Sequence, residues 1–371
     1  RTSGPVLMDS LDSENSRHNE IGISVFNTSF LPVGKKSDRN WLLSARRGNL
    51  DFVIDPQFGE PSYFDVFGEF AIELFPNARL SVNALYADDK INLVLETDPL
   101  EREQVISDTK NAQFWLQLES DWSETLASST VLSFVDFANR RDGVVNDPEK
   151  MIASVQDYRD VNQYGLRQDW VWRASPRHRT QWGIHVMYGD ADYDYEGTAE
   201  YFGLQELYGL PNIERSLEAS PSGASYAVYV ADRWKFSPRG VLEWGLRWDD
   251  QTYTDLASDA QLSPRFSLVY RVHDKTEVRF SAGRYHQSQG IQSLQIEDGV
   301  TNFWPAQRAD HLIAGIHHLT DGDIALRGEA FIKEIRDLRP RFENLFDPLG
   351  TLPELNADRV RLEPSLAQAR G

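Results

Sequence analysis

Apolar and polar residues alternate along most of the chain. The period is two, as in a β-strand whose faces meet different surroundings. In RGVLEWGLRWDDQ, Leu242, Trp244, Leu246 and Trp248 share one parity, and Glu243, Gly245, Arg247 and Asp249 the other. Pro264, Phe266, Leu268, Tyr270 and Val272 likewise alternate with Arg265, Ser267 and Arg271. Leu80, Val82, Ala84 and Tyr86 stand against Arg79, Ser81 and Asn83, and Ala112, Phe114, Leu116 and Leu118 against Gln113, Gln117 and Glu119. Ile324, Leu326, Ala330 and Ile332 stand against Arg327, Glu329 and Lys333. Helical periodicity is scarce.

Short turns (FPNA after Leu74, DWSE after Ser120, SPRH after Ala174, SPRG after Phe236, HDKT after Val272, LTDGD after His318) alternate with longer polar connections. The latter fall near 89–109, 140–156, 196–221, 287–308 and 340–364, with a shorter link at 256–261. The pattern predicts an all-β, antiparallel protein of roughly 14–16 strands.

A soluble all-β carbohydrate-binding or carbohydrate-active module would turn its apolar face to a core. A transmembrane β-barrel would turn it to lipid and its polar face to a wet interior. Three features favour the barrel. Many strands reach the ~9 to 11 residues that cross a bilayer at a tilt. Aromatics sit near the ends of the apolar stripes: Trp182 and Tyr188, Trp234 and Phe236, Tyr270. The polar face carries both signs of charge. A soluble propeller would show a repeat of ~40 to 50 residues, and none is present.

The segment WGIHVMYGDADYDYEGTAE extends the argument. Trp182, Ile184, Val186 and Tyr188 form an apolar stripe, and Asp190, Asp192, Asp194 and Glu196 continue the same parity. A charge at the bilayer centre costs ~2–4 kcal/mol, so the acidic run marks where the strand leaves the hydrocarbon. The run also opens like a calcium-binding EF-hand loop, but Tyr195 and Tyr201 fall where Gly and the bidentate Glu belong. Asp232 fits poorly: it has the apolar parity of YAVYVADRWKF and demands a bulge or an interfacial depth.

Composition narrows the function. The 371 residues carry 57 acidic and 38 basic side chains, a net charge of -19, which argues against nucleic acid as a partner. With no cysteine there is no disulfide framework, Cys-based metal site or thiol nucleophile. No catalytic motif appears, so no enzymatic activity and no cofactor are expected. His311 and His317 share the lumenal parity while His318 faces the other way, and no metal site is assigned to them. Arg46 and Arg47 suit either carboxylates of an inner domain or ion pairs within the wall. In IEDGVTNFWPAQR, Phe303 and Trp304 are candidate ligand-contacting residues, and aromatics on a long loop can equally pack against neighbouring loops.

LSPRFSLVYRVHDKTEVRFSAGRYHQSQGIQSL and FWPAQRADHLIAGIHHLTDGDIALRGEAFIKEIRDLRPRFEN resemble barrel hairpins of TonB-dependent outer-membrane receptors. GPVLMDSLDSE is similar to the end of that family's plug domain. WLLSARRGNLDFVID, followed by PSYFDVFGEFAIELFPNARLSVNALYADD, is similar to its early barrel. The resemblance rests on order and spacing across nearly the whole chain. It implies a receptor in the outer membrane of a Gram-negative bacterium. Its surroundings would be membrane lipid and lipopolysaccharide, its ligand a scarce small molecule such as a siderophore or vitamin, and its partner the TonB energy-transducing complex. Family barrels have about 22 strands. Residues 1–18 are therefore expected to be a plug remnant and linker, and 19–371 an incomplete barrel without the TonB-contacting segment or the aromatic C-terminal residue. Its two sheet edges are expected to stand open.

Overall fold

The computed structural model describes residues 17–55, 59–96, 101–203, 212–254, 261–346, 350–364 and 366–371. The plug-like stretch at 1–16 and most of the 256–261 link lie outside the described residues. The strands are β1 (Arg17–Ile23), β2 (Asn27–Lys36), β3 (Arg39–Gly48), β4 (Ser62–Phe75), β5 (Ala78–Glu96), β6 (Glu103–Asp121), β7 (Leu126–Asp147), β8 (Met151–Ser175) and β9 (His178–Tyr201). They continue as β10 (Ile213–Ala219), β11 (Ser222–Ser237), β12 (Gly240–Gln251), β13 (Gln261–His273), β14 (Thr276–Gln287), β15 (Gln307–Leu319), β16 (Ala325–Arg336), β17 (Arg341–Asn344), β18 (Arg359–Leu362) and β19 (Leu366–Arg370). Seventeen of them form one sheet, and β17 and β18 form a separate hairpin. Each strand pairs antiparallel with its sequence neighbour from β1 to β9, where both β10 and β11 join β9. The run then continues from β11 to β16 and ends on β19. Among the described residues no paired register joins Arg17–Lys36 to Ala325–Arg336.

The registers preserve parity from strand to strand. Trp41 faces Phe70, Phe70 faces Val82, and Val82 faces Leu116. Leu116 faces Leu132, Leu132 faces Leu166, and Leu166 faces Val186. Further on, Val230 pairs with Leu246, Leu242 with Leu268, Leu268 with Phe280, Phe280 with Ala314 and Ala314 with Ala330. This apolar face is exposed rather than covered by a core: Trp244 is 44%, Leu246 41% and Ile316 49% accessible. That is the arrangement of a wall facing lipid, and it tells against a soluble module. The opposite face holds ion pairs, among them Arg247–Asp249 at 2.7 Å, Arg167–Asp169 at 2.6 Å and Arg233–Glu243 at 2.9 Å. Among the described residues no helix is long and apolar enough to cross a membrane.

The tight turns predicted from the sequence gather at one end and are marked on the outer face by aromatic rings, while two further short connections, at 148–150 and 220–221, lie at the other. Trp122 stacks on Trp170 at 5.9 Å and Trp170 on Trp182 at 6.1 Å. His178 stacks on Trp234 at 5.6 Å and Phe236 on Tyr270 at 6.3 Å. Asp232 sits beside this row. Thr180 donates a 2.9 Å hydrogen bond to it, and His178 Nδ1 lies 2.9 Å from its other oxygen. No bulge occurs at Asp232; the register shifts only between Trp234 and Ser237. Local partners at interfacial depth, not a backbone irregularity, accommodate the carboxylate.

Two features differ from the sequence expectation. The sheet has more strands than the pattern predicts because short β1, β10 and β19 extend it. The supposed connections at 89–109, 140–156 and 196–201 are also largely strand, since β5 to β9 are 19, 19, 22, 25 and 24 residues long. Alternation does not stop there; it inverts. In upper β9 the outward residues are Asp190, Asp192, Asp194 and Glu196, while inward Ala191, Tyr193, Tyr195, Ala199 and Tyr201 are buried.

Candidate ligand-binding vestibule

The buried core lies above the lipid-facing belt, inside the end opposite the tight turns. Val145 of β7, Ala153, Val155 and Val161 of β8, and the inward residues of β9 form its wall. Ile291, Leu294, Ile296, Val300 and Phe303 of the β14–β15 connection pack on that wall. So do Leu352 and Leu355 of the β17–β18 connection. Glycines shape the seats. A Cβ on Gly143 would lie 2.5 Å from Leu352 Cδ2, and one on Gly189 would lie 3.0 Å from Ile291 Cγ2. The Tyr193 hydroxyl donates to the Ile291 carbonyl at 2.6 Å and accepts from the Leu294 amide at 3.3 Å. The Tyr201 hydroxyl donates to the Leu355 carbonyl at 2.7 Å.

A buried chain of alternating charge runs through this core. Register places Arg141 of β7, Asp157 of β8 and Tyr195 of β9 side by side, with Arg159 and Tyr193 paired two residues away. Asp157 accepts from Arg141 Nη2 at 3.2 Å and from Arg159 Nε and Nη2 at 2.8 and 2.7 Å. Arg141 also pairs with Glu354, and Arg159 reaches Glu297 at 2.8 Å. The side chains of Asp157 and Glu354 are 3% and 2% exposed. Each connection thus contributes one carboxylate to a chain centred on Asp157. A direct bridge joins the connections as well: Arg359 donates to both oxygens of Asp298 at 2.9 and 2.7 Å.

Burial raises the Glu297 carboxyl above its ordinary range despite the nearby Arg159. A raised folded-state pKa strengthens docking at low pH. The gain is complete below the ordinary carboxyl pKa and is lost as pH rises through the raised value. Glu297→Gln should therefore keep, as pH rises, the docking the parent shows at low pH, exceed the parent once Glu297 ionises, and flatten the pH dependence of loop protection measured by amide exchange.

Burial also pushes the Tyr193 hydroxyl up to about 12. Tyr195 is fully buried, and among the described residues its hydroxyl has no hydrogen-bond partner. Such a group costs ~1–3 kcal/mol of desolvation. Tyr195→Phe should leave stability unchanged or raise it by ~1 kcal/mol in equilibrium unfolding.

Two open cavities flank the second connection. One, of about 500 Å³, is lined by Glu103, Asp147, Lys150, Tyr201, Thr351 and Asp358 among others. The other, of about 300 Å³, includes Arg215, Phe342, Arg359 and Arg361. Asn356 and Ala357 line both, so this segment is their shared wall.

Phe303 is buried and meets Tyr253 edge-on at 5.0 Å. Trp304 is half-buried beneath Arg361, 5.3 Å from its ring, and its indole N–H has no partner among the described residues. The loop therefore buries Phe303 in the core, and the half-buried Trp304 packs against the same core. Arg46 pairs with Asp65 of β4 at 3.0 Å within the wall, and Arg47 with Asp51 of the β3–β4 connection at 2.5 Å. His311 lies against Tyr285, and His318 bonds Thr276 at 2.9 Å. Among the described residues no group of three or more potential metal ligands converges. Arg141, Asp157, Arg159, Glu297 and Glu354 escaped the sequence reading. Their one local signal is a charged pair, Asp157 and Arg159, within the inward apolar row Ala153, Val155 and Val161.

Residues 38–347 match the family described as TonB dependent receptor-like, beta-barrel, and the chain belongs to that family. No curated protein matches it. Similar solved structures include the copper transporter OprC, with TM-score 0.61 and 12% identity over 85% of this chain and 52% of that one. The ferric preacinetobactin receptor BauA from Acinetobacter baumannii gives 0.56 and 14% over 93% and 56%. The RagAB peptide transporter gives 0.54 and 8% over 84% and 44%. At these identities the likeness concerns the fold. The chain spans about half the length of these structures.

Proposed function

We propose that this chain is the barrel portion of an outer-membrane receptor that takes up a scarce small ligand in a Gram-negative bacterium. Residues 1–18 are the end of a plug and its linker, and residues 19–371 are barrel. The carrying observation is the inversion of the wall: apolar outward in the belt, then apolar inward where two loops fill the vestibule. Lipid and lipopolysaccharide surround the wall, and the TonB complex drives the intact protein. The ligand is a scarce small molecule such as a siderophore or vitamin. Within the vestibule, Trp304 under Arg361 is the ligand-facing part of the loop, and Phe303 anchors it. The proposal assigns no enzymatic step and no cofactor.

The test is cell fractionation combined with uptake by the intact protein. It should sediment with outer membranes and accumulate a labelled ferric chelate or vitamin only while the proton gradient is maintained. Recovery in the soluble fraction would overturn the assignment. Trp304→Ala should weaken ligand binding about tenfold, as loss of a central aromatic contact does, with the barrel still folded by its resistance to detergent.

A further inference from the structure

The vestibule loops come from connections distant in sequence, yet their contacts do not separate into two sets. Ile291 sits over Gly189 and Leu352 over Gly143, each in a hole that any larger residue would fill. Glu297 and Glu354 reach the two guanidinium groups that share Asp157. Asp298 is held by Nε and Nη2 of Arg359, and Trp304 lies under Arg361. Arg215 of β10 bonds the Glu297 carbonyl, tying the first loop to a further strand. We propose that residues 288–306 and 350–362 form one strap, seated in two glycine notches and centred on Asp157, that docks and releases as a unit. A ligand passing between strap and wall then meets a single opening equilibrium. Two independent loops would present two, and the fully open state would need both at once. The inference concerns how the vestibule opens and stands apart from the identity of the ligand.

Amide hydrogen exchange on the full chain folded in bilayer nanodiscs tests the coupling. Gly143→Val fills the seat of Leu352 and, of the two loops, meets only the second, its other neighbour being Val105 of β6. If the strap is one unit, exchange should accelerate about tenfold or more in both 291–300 and 352–359, while belt amides at 180–188 keep their protection. In an Asp298→Asn background, which cuts the direct bridge, the same substitution should accelerate 352–359 far more than 291–300. Acceleration confined to 352–359 with Asp298 intact would overturn the proposal. If Gly143→Val prevents folding, Tyr201→Phe provides the gentler perturbation. It removes only the hydroxyl bonded to the Leu355 carbonyl, and the same two outcomes decide.

Discussion

Leu246→Arg should destabilise the folded wall by ~2–4 kcal/mol in equilibrium unfolding from lipid vesicles. Leu246 lies midway along the outward row that runs from Leu242 to Asp250 on β12, with Val230 and Pro264 as its cross-strand partners. Neither neighbour can accept a hydrogen bond through its side chain, so a guanidinium there must snorkel or drag water into the belt. The adjacent residue offers the contrast. Gly245 points inward, where an added Cβ would lie 3.3 Å from Ala231 Cβ and 3.4 Å from the Val230 carbonyl. Such contacts require a shift of a few tenths of an ångström, not a new fold. Gly245→Gln should cost under ~1 kcal/mol, the scale of a changed cross-strand pair. Gln is the better probe than Arg because Arg265 stands directly opposite and would repel a second cation. Equal losses at positions 245 and 246 would show that the two faces do not meet different media.

The strands and their faces were legible because a bilayer imposes one rule over the whole belt, and a period of two on an apolar face needs no tertiary information to detect. The same simplicity hid the upper strands. From Asp190 onward the outward residues face water and the inward ones face loops, so the polarity rule reverses while the backbone continues unchanged. A reading tuned to apolar-outward stripes ends the belt at Tyr188 and takes Ile152 and Tyr201 for loop. The vestibule was less legible still. Arg141 and Glu354 are 213 residues apart, and nothing local to either announces the other. Phe303 and Trp304 were visible as loop aromatics, but only their neighbours show that Phe303 packs on Tyr253 and that Trp304 lies under Arg361.

Asp157→Asn should be the most damaging single substitution in the vestibule. It should cost ~3–5 kcal/mol of docking free energy, the range for breaking a buried ion pair from one side. Charge counting does not explain this. The chain Glu354, Arg141, Asp157, Arg159, Glu297 carries one excess negative charge, and an amide at its centre would neutralise it. Each guanidinium would also keep one carboxylate, Glu354 for Arg141 and Glu297 for Arg159. Geometry decides instead. The Asp157 carboxylate accepts from Arg141 Nη2 and from Arg159 Nε and Nη2, whereas an amide retains one acceptor oxygen and turns an NH₂ toward donors. The group is almost wholly buried, so water cannot substitute. Salt should not rescue or worsen the effect, since a buried cluster is screened far less than a surface pair. Opening free energies from native-state amide exchange at 291–300 and 352–359, taken at low and high ionic strength, give the measurement. A loss below ~1 kcal/mol, or one that shrinks markedly with salt, would mean that Asp157 belongs to a solvated wall pair worth no more than an exposed salt bridge.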